Sequence, residues 1–306
     1  MSINLYLAGS QAKELELLLL HKGANRLFSQ LNDRAGVETW VDYMRTNEVH
    51  RNLFIDSGAY TAHTRGATLD VDEYISYVNA HQGLFAVIAQ VDKIPGTYGK
   101  PKTREEILEA PELSWQNYLY MRERGKDYQN LTPIFHQGEP FKHLERMLET
   151  TFDGEHIPYI GISPANDTHT RDKAKWLDHV YLIISKSSNP NVKTHAFGMT
   201  SLKLLESYPF YSADSTSWIM TGANGSIMTR HGLVLVSDKQ KTDNRHLMYK
   251  SKPEIEQTRL EVEERGYTMD QVAHDYKARM AINALFLMEW SKNYVYKGKK
   301  KQKQLF

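Results

Sequence analysis

The 306-residue chain contains no cysteine. That absence removes disulfides, thiol nucleophiles and every cysteine-ligated zinc or iron–sulfur site at once. It suits a reducing compartment, and a cytoplasmic setting is expected. Long apolar runs are also missing. "LELLLL", near the N-terminus, is far too short to cross a bilayer. The opening "MSINLYLAGS" has no basic segment and no small-residue cleavage site, so neither a membrane anchor nor a secretory leader is expected. There is no charge excess either. The net charge is +1, so contact with a polyanion would have to come from a local patch. No G-x-G-x-x-G or P-loop follows any candidate strand, which argues against an open nucleotide-binding sheet.

What is present is a rhythm. Hydrophobic residues make up 41% and charged residues 25% of the chain, ordinary values for a globular domain. The length fits one α/β barrel of about 250 residues with additions. Short apolar runs recur, each closed by Gly, Pro or Asp: "INLYLAG", "LFIDSG", "FAVIAQVD", "LTPIFHQG", "YIGISP", "THAFGMT" and "FYSADS". Helical patterns lie between them. "TREEILEAPELSWQNYLYMRERG" carries Ile107, Leu108, Trp115, Leu119 and Met121, and "PFKHLERMLETT" sets Leu144, Met147 and Leu148 on one face. Strand alternating with helix predicts parallel β/α units. Seven strands with room for an eighth predict a (β/α)8 TIM-like barrel over residues 1–235.

Beyond Asp214 the pattern changes. One or two strands are expected around Arg230–Gly232. A helix is expected over Pro253–Arg265, and a long one from Met269 to Tyr294, with Thr268 and Gln271 as a capping box. Residues 236–306 are therefore expected to form a helical extension on the barrel. Ile282, Leu285 and Leu287 are expected to face the barrel, with no metal in this region. The stretch ends in a basic tail, 297–306.

The predicted strand ends carry the chemistry. Asp56, Asp92, His136, Gln137, the Gly161 backbone, Gly198 and Asp214 all fall there. In parallel barrels such positions converge on one mouth. An Asp at one strand end is as often a helix cap as a functional group; several together suggest a polar pocket. Two readings of such a pocket stay open from the residues alone. Asp56, Asp92 and His136 would suit a metal-dependent hydrolase acting on a small molecule. A barrel that binds nucleic acid without catalysis is the other.

The same residues carry a resemblance. "IDSGAY" resembles the Asp-Ser-Gly-Gly-Phe motif of tRNA-guanine transglycosylases. "QVDKIPG", "FHQGEP", "YIGISPAND", "HAFGMTS" and "YSADSTSW" then resemble further family motifs, in the family's order. The likeness spans residues 50 to 220. It also breaks in places. The zinc-binding members use three cysteines and a histidine, which this chain cannot supply. Ala59 and Glu139 stand where the family has glycines. The chain is more similar to the compact phage and bacterial branch that exchanges 7-deazaguanine into DNA. A cytoplasmic setting would then be the host's if the chain is phage-encoded.

The resemblance implies a fold, the (β/α)8 barrel, and a reaction. Guanine in DNA, single-stranded or flipped out, would be exchanged for a free 7-deazaguanine base, with no cofactor and no membrane. A tRNA-guanine exchange is the alternative. Asp214 would be the nucleophile and Asp56 the general acid/base. Ser57, Tyr60, Asp92, Gln137, Gly138, Gly161, Ile162, Phe197 and Gly198 would line the base site, with Tyr60 and Phe197 covering the two ring faces. Core packing is the competing role for both aromatics. His136 is expected to be structural or to support another residue, and His195 and His231 receive no role. Lys297, Lys299, Lys300, Lys301 and Lys303 would meet phosphate, although such tails are more often simply solvated.

Overall fold

The computed structural model describes residues 2–9, 11–165, 168–199 and 201–298. Its strands are β1 (Asn4–Ala8), β2 (Asn25–Ser29), β3 (Leu53–Asp56), β4 (Phe85–Ala89), β5 (Leu131–Thr132), β6 (Ile134–His136), β7 (Thr151–Phe152), β8 (Glu155–His156), β9 (Tyr159–Ser163), β10 (Lys193–Ala196), β11 (Ser212–Ser215), β12 (Ser226–Thr229) and β13 (Gly232–Leu235). Nine of them form one parallel sheet in the order β5-β4-β3-β2-β1-β11-β10-β9-β6. β7–β8 and β12–β13 are separate hairpins. The two ends of the large sheet, β5 and β6, are neighbours in the chain with only Pro133 between them. Proline has no N–H to give to a ladder. Its carbonyl still accepts from Gly161 N–H at 2.8 Å, so the curved sheet nearly closes on itself.

The helices are α1 (Lys13–Lys22), α2 (Arg34–Thr46), α3 (Ala59–Thr64), α4 (Val71–Ala80), α5 (Arg104–Arg124), α6 (Lys142–Glu149), α7 (Thr170–Lys186), α8 (Leu202–Ser207), α9 (Ser217–Ala223), α10 (Lys252–Glu264), α11 (Met269–His274) and α12 (Tyr276–Lys292). None is long and apolar enough to cross a membrane, among the described residues. Side chains alternate across each strand. Leu5, Leu7, Phe28, Leu53, Ile55, Ile88, Ile160 and Ile162 belong to the large core that includes the helices. Tyr6, Ala8, Leu27, Phe54, Val87, Ala89 and Ile134 form a separate inner cluster, joined by Tyr159 and Phe197. The inner positions therefore continue, at the C-terminal strand ends, into Ser29, Asp56, His136, Ser163 and Asp214.

β2 is the strand that the apolar runs do not announce, because Arg26 interrupts its pattern. Arg26 is fully buried. Its guanidinium pairs with Glu16 at 2.7 Å and donates to the carbonyls of Leu7 and Gly9, while Trp40 Nε1 donates to Glu16 at 2.7 Å. It also stacks on Phe28, Trp40 and Trp218. A buried ion is tolerable only when it is paired and hydrogen-bonded in this way.

Other expectations shift in detail. α5 starts with a Thr103–Glu106 capping box, but it turns Ala110, Pro111, Trp115, Tyr118 and Met121 inward and leaves Leu108 and Leu119 exposed. The long C-terminal helix is two helices. Asp275 takes an extended conformation, and its side chain accepts from Lys277 N–H to cap α12. The Thr268–Gln271 capping box stands as expected. Leu287 packs into the barrel's helical core. Ile282 does not: it joins Ile227, Val236, Val262 and Val272 in a second core. The β12–β13 hairpin and the C-terminal helices thus share one cluster. Leu285 is only half-buried.

Candidate functional site

Asp56 ends β3, and Gly58 follows in the left-handed region at φ +84°. That conformation favours glycine. A Cβ there would also lie 2.5 Å from Ser29 Oγ and 2.7 Å from Leu31 Cβ. The tight turn lets Gly58 N–H donate to Asp56 Oδ2 at 3.0 Å. Ser57 is buried, and its Oγ accepts from Ala59 N–H. Burial pushes the Asp56 carboxyl up to about 7; the Gly58 N–H opposes this, while the charges of Asp92 and Asp214 add to it. Asp56 ends β3, Asp92 follows β4 and Asp214 lies near the end of β11, so all three carboxylates fall at the C-terminal side of the parallel sheet.

Asp214 is 7% exposed on β11. Its Oδ1 accepts from Gly198 N–H at 2.8 Å and lies 3.1 Å from His195 Nε2. Gly198 has φ +58° and closes the turn after β10. His195 sits on β10 beside Ser212, fully buried, with Nδ1 2.5 Å from Ser212 Oγ. Its ring packs against Phe54 and Phe197 at 4.6 and 4.5 Å. Alternation along the strand could have revealed it. His195 and Phe197 share one parity, and Phe197 was already assigned to the site.

Asp92 lies just beyond β4, held at both oxygens. Gln90 Nε2 donates to Oδ1 at 2.7 Å, and His136 Nε2 lies 3.0 Å from Oδ2. Burial lowers His136, yet Asp92, Glu139 and Asp56 together outweigh it and raise the imidazole to about 9. The His136–Asp92 contact holds the carboxylate in place. Glu139, whose Oε2 accepts from His136 N–H at 3.1 Å, is itself pushed up to about 7 by burial. Sequence reasoning passed over Gln90 entirely, although it stands two residues before Asp92.

The remaining predicted residues are placed as follows. Gln137 Oε1 accepts from Ala165 N–H at 3.1 Å and Thr168 Oγ1 at 3.4 Å, which ties down its carbonyl end; among the described residues its amide end makes no hydrogen bond. Gly138 is exposed, with φ +107°. Gly161 N–H and Ile162 C=O are engaged with Pro133 and Phe197 in the barrel wall, and the Ile162 side chain faces the helices. A Cβ on Gly161 would stand 2.5 Å from the Phe197 ring, so the glycine makes room for that ring. Phe197 is half-buried against Phe54; Tyr60 is 55% exposed, which excludes a core role for it. Lys297 is not a free cation: its Nζ binds Glu206 at 2.7 Å. Lys299, Lys300, Lys301 and Lys303 lie outside the described residues.

Among the described residues no group of three or more His, Asp or Glu side chains is arranged to hold a metal ion. An open cavity of about 540 Å³ is lined by Met220, Met228, Leu233 and Phe286 between α9, the β12–β13 hairpin and α12. None of its lining residues is ionisable. No protein-family model matches the chain, and a search of curated proteins returns no match.

Proposed function

We propose that this chain is a base-exchange transglycosylase that replaces guanine in DNA with a 7-deazaguanine, through a covalent aspartyl–sugar intermediate. Its scaffold is read as a (β/α)8 barrel, with the two segments flanking Pro133 counted as one strand. The observation that carries the reading is the meeting of Asp56 and Asp214 at one barrel end with different environments. Asp214 is held by two donors on one oxygen, while Asp56 keeps its proton to about pH 7. A carboxyl that burial raises toward neutral pH suits the acid/base role, and a carboxylate fixed by hydrogen bonds suits the nucleophilic one.

The chemistry follows from those roles. An ionised Asp214 attacks C1′ as the C1′–N9 bond breaks, and the electron pair of that bond leaves with guanine. Asp56 gives its proton to the departing base. The 7-deazaguanine then enters, loses its N9 proton to Asp56 and displaces Asp214 from C1′. Asp92, fixed by Gln90 and His136, is positioned to accept from the N1–H and exocyclic amine of guanine, and the Gln137 amide to donate to O6. Sites of this kind reject bases that lack the matching groups. The target nucleotide must leave the helical stack, because a base within a duplex cannot enter a barrel mouth. Tyr60 and Phe197 would cover its two faces. The cytoplasm, or the host's cytoplasm for a phage protein, is the compartment that fits a cysteine-free DNA enzyme.

DNA is favoured over tRNA by the motif set and by the missing cysteines of the zinc-binding members. The test is incubation with labelled guanine or 7-deazaguanine and either DNA or tRNA. Label in DNA supports the reading. Label in tRNA alone moves the protein to the tRNA branch, and label in neither rejects base exchange.

A further inference from the structure

A buried line of hydrogen bonds runs up the inside of the barrel and ends on Asp214. The Tyr159 hydroxyl meets Ser212 Oγ, Ser212 Oγ lies 2.5 Å from His195 Nδ1, and His195 Nε2 lies 3.1 Å from Asp214 Oδ1. Burial disfavours the imidazolium and lowers the His195 pKa, although the Asp214 carboxylate opposes this. A neutral imidazole has one N–H. With that proton on Nδ1, the Nε2 lone pair would face a carboxylate oxygen, which is repulsive. The proton therefore sits on Nε2 and is donated to Asp214. Nδ1 then accepts from Ser212, and Ser212 accepts from Tyr159, whose hydroxyl burial keeps protonated. Every donor in the line points toward Asp214.

We propose that His195 is a positioning residue which, with the Gly198 N–H, ties down Oδ1 of Asp214 and leaves Oδ2 as the oxygen that bonds to C1′. This rests on Asp214 being the nucleophile. Both donors act on Oδ1, and among the described residues Oδ2 accepts no hydrogen bond. When Oδ2 bonds to C1′ and guanine departs with the C1′–N9 electron pair, Oδ1 becomes the ester carbonyl oxygen. When the incoming base displaces the ester, negative charge returns to a carboxylate whose donors are already in place. Such preorganisation needs no rearrangement at the moment of reaction.

The experiment compares wild type, His195→Leu, His195→Gln, Tyr159→Phe and Asp214→Asn in exchange kinetics and in trapping of the covalent DNA adduct. Gln sets an amide N–H near the place of Nε2; Leu removes the donor. His195→Leu is expected to lower kcat roughly 10- to 100-fold, the scale of one lost hydrogen bond to a charged group. KM for DNA and for the free base should stay within about twofold. His195→Gln should recover most of the rate, and Tyr159→Phe should lose less than His195→Leu. Histidine-labelled ¹⁵N spectra of wild type should contain one non-titrating Nε2–H imidazole that is missing from His195→Gln. A folded His195→Leu with the wild-type rate, Gln no better than Leu, or an Nδ1–H tautomer would each overturn the inference. If His195→Leu does not fold, the Gln variant and the tautomer still decide. An inactive Asp214→Asn beside an unaffected His195→Leu sinks this inference alone. An active Asp214→Asn, or a wild-type protein inert on DNA and tRNA, removes the underlying reading as well.

Discussion

Asp56 sits where burial and two neighbouring carboxylates work against its charge, and the Gly58 and Ser57 N–H groups work for it. A carboxyl raised to about 7 is half protonated at neutral pH, so it can both give and take a proton. The exchange rate is therefore expected to fall as pH rises above about 7, read from kcat against pH; a flat profile from pH 6 to 9 would count against Asp56 as the acid. The same shift has a stability cost. The folded value lies above the ordinary one of 3.8, so the folded state binds the proton more tightly. Stability is fullest below the ordinary value, declines as pH rises toward 7, and is level above it. Asp56→Asn should thus raise stability at pH 8 but not at pH 3.5, by about 1–2 kcal/mol in urea unfolding. The full shift would correspond to about 4 kcal/mol, less what solvent at the mouth screens. The carboxylates were legible in the sequence because each closes an apolar run. Gln90 was not, since it is a polar residue within a run that acts through a neighbour; for His195 the only signal was the strand parity it shares with Phe197. His136 was read as a supporting residue, and its ion pair with Asp92 gives that support a physical form.

At the scale of elements, charge hid structure. β2 reads poorly because Arg26 looks like a surface residue, yet its partner Glu16 is presented by the adjoining helix. Helical alternation gave the right buried face for α6, where Leu144, Met147 and Leu148 are all buried. It was half right for α5: Trp115 and Met121 are buried, but the core face also runs through Pro111 and Tyr118 while Leu108 and Leu119 are exposed. Nothing local announces which stripe of a long amphipathic helix will meet the sheet. The split between α11 and α12 was equally hidden, because Asp275 breaks the helix by capping the next one. Breaking the Glu16–Arg26 pair by Arg26→Met should cost about 3–5 kcal/mol, since it strands a buried carboxylate. Chemical denaturation reads this directly. A loss under 1 kcal/mol would mean that the pair is not buried in solution.

For the whole molecule, the barrel provides one polar mouth, and the chain is otherwise nearly neutral. Affinity for a nucleic acid must then come from local cations. Lys297 is engaged with Glu206, which leaves the lysines after it as the contribution to test. Deleting residues from Lys297 onward is expected to weaken DNA binding and to flatten its dependence on salt, with kcat unchanged. An unaltered salt slope would place the phosphate contacts elsewhere on the mouth. Asp92→Ala should instead raise KM for the free base without changing DNA affinity, which separates recognition of the base from recognition of the strand.

The most direct measurement is capture of the covalent intermediate. Wild-type protein and Asp214→Asn are incubated with guanine-containing DNA, quenched in denaturant and resolved for a protein–DNA species. A neutral amide keeps the shape of the carboxylate but cannot attack C1′. The account predicts a denaturant-stable adduct for wild type, discharged by added 7-deazaguanine. It predicts none for Asp214→Asn, which should still bind DNA. An adduct that survives the Asp214→Asn change, or exchange of bases with no contribution from either Asp56 or Asp214, would contradict it.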